Sequence, residues 1–94
     1  MTTHELKTWP DLFEDMITGV KMFEVRFNDR GFRVGDLLHL QEWDDRDEKY
    51  TGRSVDRTVT YILYGHAGLR EMYVVLGTET LAGEKCAEPP NSAT

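Results

Sequence analysis

The period-two pattern of apolar and polar side chains within residues 22–28, MFEVRFN, is the feature that most constrains the fold. A period of two predicts a β-strand, because successive side chains of a strand point to opposite faces. The apolar set, which we expect in the core, is Phe23, Val25 and Phe27. The polar set, which we expect on the other face, is Glu24, Arg26 and Asn28. The strand is therefore predicted to be half-buried, with an ionic face.

One helix and several further short strands are predicted around this strand. The segment 8–19, TWPDLFEDMITG, predicts a helix, because Pro10 suits the first helical position and Gly19 suits the end. Strands are predicted at 37–43, 54–64 and 73–77. The predicted core partners of the first strand are Leu12, Phe13, Met16, Ile17, Leu38, Leu40, Ile62 and Val75. The fold class is thus mainly β with one or two helices (α+β), a small barrel with a helix packed at one end.

Length and charge limit the organisation and the function. With 94 residues the chain forms one domain, which we place at 1–77, followed by a polar segment, 78–94, predicted to be a flexible tail. The net charge of −6 repels phosphate, so nucleic-acid binding requires a local basic patch. Residues 20–34 provide one, with four basic side chains against two acidic ones.

Several function classes are disfavoured by what the sequence lacks. Cys86 is the single cysteine, so no internal disulfide and no cysteine cluster for zinc are expected. The three histidines, His4, His39 and His66, show no metal-ligand spacing, and we predict neither a metal nor a cofactor. No signal peptide or membrane-spanning run is recognised, and we expect a soluble cytoplasmic protein without membrane contact.

The polar segment 44–53, DDRDEKYTGR, is predicted to be a hairpin loop with a second turn at Thr51 and Gly52. The chain is acidic here, with five carboxylates against one arginine over residues 41–48. Trp43 and Tyr50 bracket the acidic loop. A cross-strand pair that holds the hairpin shut is the favoured role for these rings, and an aromatic platform is the alternative.

The ordered motif G-x-K-x-x-E-x-R (Gly19, Lys21, Glu24, Arg26), followed by VGD at 34–36, resembles the ASCH superfamily of PUA-like barrels. Similarity to an uncharacterised phage and bacterial branch of that superfamily extends from about His4 to Gly77. The resemblance implies a PUA-like barrel with a cleft beside the helix, floored by the Lys-Glu-Arg strand, and a role in binding RNA or a modified nucleobase. One branch is a small amidohydrolase with a lysine at the position of Lys21 and a threonine nucleophile where this chain has Glu24, so that chemistry does not transfer intact.

The candidate ligand-binding residues follow from the ionic strand face and the helix start. They are Lys7, Trp9, Lys21, Glu24, Arg26, Asn28 and Arg30, and Lys21 and Glu24 are also the catalytic candidates. Arg and Lys donate hydrogen bonds and Glu accepts them, a set that suits a ligand with phosphate oxygens and base-edge donors. The alternative is an ordinary ion pair between Glu24 and Arg26 on one strand face. Asn28 equally suits turn chemistry.

Three functions stay open from the sequence. The first is a PUA-like module that binds RNA or a modified nucleotide in a Lys/Glu/Arg cleft. The second is a small hydrolase that acts on a modified nucleoside, with Lys21 as activating cation or base and Glu24 as general acid/base. The third is a phage accessory protein that binds a host protein through the acidic loop. The oligomeric state is left undetermined.

Overall fold

The computed structural model describes residues 1–80 and contains one helix and five strands in one sheet. The elements in chain order are β1 (Thr3–Thr8), α1 (Pro10–Ile17), β2 (Phe23–Phe27), β3 (Leu37–Asp44), β4 (Lys49–Leu63) and β5 (Tyr73–Thr80). The strand order is β1-β3-β4-β5-β2, with β1 parallel to β3 and the other pairs antiparallel. The predicted class, mainly β with one helix, is confirmed.

The sheet curls into a half-barrel, so that its two edge strands, β1 and β2, approach each other. Arginine side chains bridge this β1–β2 seam. Arg26 Nη2 donates to the carbonyl of Lys7 at 2.8 Å, and Arg30 Nη1 donates to the carbonyl of Glu5 at 3.1 Å. Side chains therefore join the two edges where the described strands form no backbone ladder.

The predicted register of β2 is wrong. Phe23, Val25 and Phe27 are 45%, 51% and 47% exposed, whereas Glu24 is only 4% exposed and points inward. The inner face of the half-barrel also holds other buried polar groups, namely His4, Thr8, Asp36, Glu42, Arg57 and Thr78. The prediction assumes that the apolar side chains of an alternating strand face the core. Here the interior at the seam is polar, so the polar side chains of β2 face inward instead.

The remaining core predictions are confirmed in part. Of the predicted set, those that lie in the core are Phe13, Met16, Ile17, Leu38 and Leu40, and Ile62 packs against it. Leu12 is 45% exposed, and Val75 faces outward while its neighbours Val74 and Leu76 are buried. The other core members are Leu6, Phe32, Val55 and Val59.

Strand β1 was not predicted, because THELKT offers only one apolar side chain, Leu6, on its buried face. It pairs with β3 from Thr3 opposite Leu37 to Thr8 opposite Glu42. This pairing places the start of the chain inside the sheet and leads directly into the helix.

The hairpin of β3 and β4 turns at residues 45–48, within the predicted loop. Trp43 and Tyr50 lie directly opposite each other, with ring centroids 4.9 Å apart, which confirms the cross-strand pair. Thr51 and Gly52 lie inside β4, so the second predicted turn is wrong; Gly52 has a φ of 99° near a shift in the strand register.

Helix α1 begins at Pro10 as expected, and its last turn is held by a fully buried arginine. Arg57 Nη2 donates to the carbonyl of Met16 at 3.2 Å. A cation at this position complements the negative end of the helix dipole. The helix is thereby fixed over the sheet by a residue far along the chain.

Strand β5 continues through Thr80, three residues past the predicted end of the last strand at Gly77. The rest of the predicted tail, from residue 81, lies outside the described residues. Within the described part of the chain, none of the helices combines the length and apolarity needed to cross a membrane.

Candidate ligand-binding cleft

Three charged side chains meet at the junction of α1 and β2. Lys21 Nζ lies 2.7 Å from Glu24 Oε2, while Arg26 Nε and Nη2 lie 3.2 and 3.1 Å from Glu24 Oε1. The side chain of Glu24 is 5% exposed, and those of Lys21 and Arg26 are 13% and 24% exposed. The structure thus brings together the three residues of the sequence motif, with the carboxylate on the inside and the two cations nearer to solvent.

These residues floor a cleft of about 670 Å³ between the helix and the β1–β2 seam. It contains five of the seven predicted ligand residues: Lys7, Trp9, Lys21, Glu24 and Arg26. The remaining lining residues are Thr8, Leu12, Asp15, Val20, Phe23 and Val25. A cleft beside the helix is therefore present, although the residues of the predicted apolar face form part of its wall.

Asn28 and Arg30, the other two predicted residues, lie outside this cleft. Asn28 Oδ1 accepts a hydrogen bond from the backbone amide of Phe32 at 3.1 Å, which is turn chemistry. Asn28 also lines a second cavity of about 370 Å³, together with Tyr64 and Tyr73. Arg30 spans the seam and lies 3.6 Å from Asp29. Both follow the end of β2, where the strand alternation no longer sets the direction of a side chain.

Thr8 is the site residue that sequence reasoning missed. It is 3% exposed and lines the cleft, and its hydroxyl has no hydrogen-bond partner among the described residues. A buried hydroxyl without a partner is costly, by about 1–3 kcal/mol. The only sequence signal was its place two residues after Leu6 in an unrecognised strand.

The cations of the cleft keep unused donors. Lys21 Nζ donates to the carbonyl of Phe23 at 2.6 Å as well as to Glu24, which leaves one of its three hydrogens. Arg26 uses Nε and Nη2, and Nη1 has no protein acceptor within residues 1–80. These two cations therefore offer hydrogen bonds to acceptor atoms of a ligand.

The walls of the cleft are aromatic and its charge is locally positive. Trp9 is 44% and Phe23 is 45% exposed, and Lys21 Nζ lies 5.1 Å from the centre of the Phe23 ring. The lining includes three cationic residues, Lys7, Lys21 and Arg26, and two carboxylates, those of Asp15 and Glu24. The cleft is thus a locally cationic, partly apolar site on a chain of net charge −6.

The histidines lie elsewhere. His4 Nε2 is 2.8 Å from Asp36 Oδ2 in a buried pair beneath Phe32. Burial by itself would raise the pKa of Asp36, but the hydrogen bond with His4 and those from two backbone amides outweigh it and lower that pKa. His39 pairs with Asp56 on the outside of the sheet.

A curled half-barrel sheet with one helix beside a polar cleft places the chain in a class of small α+β domains. The chain belongs to the family described as a domain of unknown function, DUF3850, whose match covers residues 3–78. That span includes every element from β1 to most of β5. No curated protein matches the chain with significant similarity.

Proposed function

We propose that the cleft binds the base of a nucleotide, free or in RNA, and that the domain is a PUA-like barrel of the ASCH type. The observation that carries this proposal is that Lys21 and Arg26, which keep unused donors, line one cleft with the exposed rings of Trp9 and Phe23.

Nucleobases match both parts of this surface. Their carbonyl oxygens and ring nitrogens accept hydrogen bonds from hydroxyl, ammonium and guanidinium groups, and their planar faces stack on aromatic rings with about 1–3 kcal/mol per base. A cleft of about 670 Å³ lies in the range of small-molecule sites. The local excess of cations also favours a ligand that carries a phosphate.

Binding is better supported than hydrolysis. Both oxygens of Glu24 accept hydrogen bonds from cations, and its side chain is 5% exposed, so Lys21 and Arg26 stand between this carboxylate and the cleft. A general acid/base must come within hydrogen-bond reach of the reacting group. Glu24 therefore suits the role of a residue that orients Lys21 and Arg26 toward the ligand.

Titration calorimetry with nucleosides, nucleoside monophosphates and a short single-stranded RNA tests the proposal. Arg26→Ala should weaken binding about 10- to 150-fold, the loss of a charged hydrogen bond of roughly 1.5–3 kcal/mol. Arg30→Ala is the matched control, because Arg30 also bridges the seam but does not line the cleft.

Thr8→Val provides a second control. Removing an unpartnered buried hydroxyl should leave stability unchanged or raise it, and ligand binding should stay unchanged because protein atoms enclose this hydroxyl. The proposal is wrong if no compound of the panel binds at millimolar concentration, or if Arg26→Ala and Arg30→Ala have equal effects on affinity.

A further inference from the structure

The convex side of the sheet carries an uncharged apolar surface, which we call the outer face. Register places its members side by side on three adjacent strands: Phe23 and Tyr61 flank Gly77, Val75 lies between Val25 and Leu63, and Phe27 is opposite Tyr73. Because directly opposed residues of antiparallel strands point to the same side, these side chains form one continuous surface. None of them is an Asp, Glu, Lys, Arg or His residue, in a chain of which 30% is charged.

This surface is open to solvent. Phe23, Val25, Phe27 and Tyr61 are 45%, 51%, 47% and 64% exposed, and the Phe27 and Tyr73 rings make an edge contact at 5.5 Å. With roughly half of each large aromatic side chain (~150–250 Å²) accessible, the outer face offers on the order of 400–600 Å². This equals the largest apolar patch of a typical monomeric protein, and such patches are often functional.

We infer that the outer face binds a second copy of this chain, sheet against sheet. Two such faces would bury on the order of 800–1,200 Å² in total, which is the lower end of specific interfaces and fits a weak dimer. Two copies, each of charge −6, meet with least repulsion through a surface without charges. Single-stranded nucleic acid fits this face less well, because none of its seven apolar members can neutralise a phosphate.

The inferred dimer also bears on the cleft, whatever the cleft binds. Phe23 and Val25 belong to both surfaces, since they line the cleft and lie at the edge of the outer face. A second copy packed on the outer face therefore lies at the open rim of each cleft. Ligand binding and dimerisation are then linked, and each alters the affinity of the other by the same factor.

Sedimentation equilibrium of the full chain from about 5 µM to 1 mM tests the inference. We expect a monomer–dimer equilibrium with a Kd on the order of 10–100 µM, as suits an interface of this size. Val25→Lys should raise this Kd at least tenfold. Val34→Lys is the matched control, because Val34 is 62% exposed and lies outside the outer face, and it should leave the Kd unchanged. Circular dichroism of both variants verifies the fold.

Three results would overturn the inference. The first is a mass of 10.9 kDa at every concentration. The second is a dimer that Val25→Lys and Val34→Lys affect equally, which would place the interface elsewhere. The third is a monomer that dimerises only after truncation behind Thr80, which would assign the outer face to the chain's own residues 81–94.

Discussion

Replacement of Glu24 by Gln gives the most direct test of the charged cluster at the cleft floor. The amide keeps the shape of the side chain but turns one acceptor oxygen into a donor group that faces either Lys21 or Arg26. The change removes at least one charge-assisted hydrogen bond at a site where the carboxylate is 4% exposed. Such bonds contribute about 1.5–3 kcal/mol, and breaking a buried pair costs about 3–5 kcal/mol.

The two cations are partly exposed, so water screens part of the loss, and we expect a decrease of about 2–3 kcal/mol in the free energy of unfolding. Urea denaturation measures it. Asp29→Asn is the matched control, because Asp29 and its partner Arg30 are 58% and 43% exposed and 3.6 Å apart, and it should cost less than about 0.5 kcal/mol. Equal costs for the two variants would refute the view that Glu24 is held by its partners.

Three further predictions concern the core, acid sensitivity and the helix contact. Leu76→Ala should destabilise the protein by about 2–5 kcal/mol and Val25→Ala by less than about 1 kcal/mol in urea denaturation. The reverse order would mean that Val25 is buried, as the sequence pattern predicts. The pKa of Glu42 is lowered, chiefly by the hydrogen bond from Arg53, and the pKa of Asp36 is also lowered. Both carboxylates therefore stabilise the fold above their pKa values in the unfolded chain, near 4, and the free energy of unfolding should fall as the pH drops below 4. A urea midpoint that does not change with pH would contradict this. Arg57→Met should cost about 2–3 kcal/mol and lower the melting temperature, whereas an unchanged melting temperature would rule out the contact with the helix end.

Local chemistry was sufficient for part of the fold and of the site. Pro10 marks the helix start through its fixed φ, and the period of two marks β2, because both signals reside within a few residues. The meeting of Lys21, Glu24 and Arg26 was equally predictable, since their separations of three and two residues keep them adjacent on a strand and its entrance.

The tertiary structure decided which face of β2 is buried. An alternating pattern is unchanged when the two faces are exchanged, so the sequence by itself specifies the period and not the inside. Glu24 faces inward because two cations satisfy its carboxylate there, and the aromatic side chains of β2 then face outward as part of the outer face. The local pattern alone cannot show which face of the strand is buried, because burial of a charge depends on partners that the fold positions.

Long-range contacts decided the rest. Thr8 lines the cleft only because β1 pairs with β3, and Arg57 lies under the helix because β4 passes beneath the carbonyl of Met16, 41 residues earlier in the chain. The sequence by itself determined the period of β2, the start of the helix and the turn of the β3–β4 hairpin, which depend on backbone geometry and nearest neighbours. The fold alone determined the polar interior, the seam and the exposed aromatic face, because each depends on the free energy of groups that are distant in the chain.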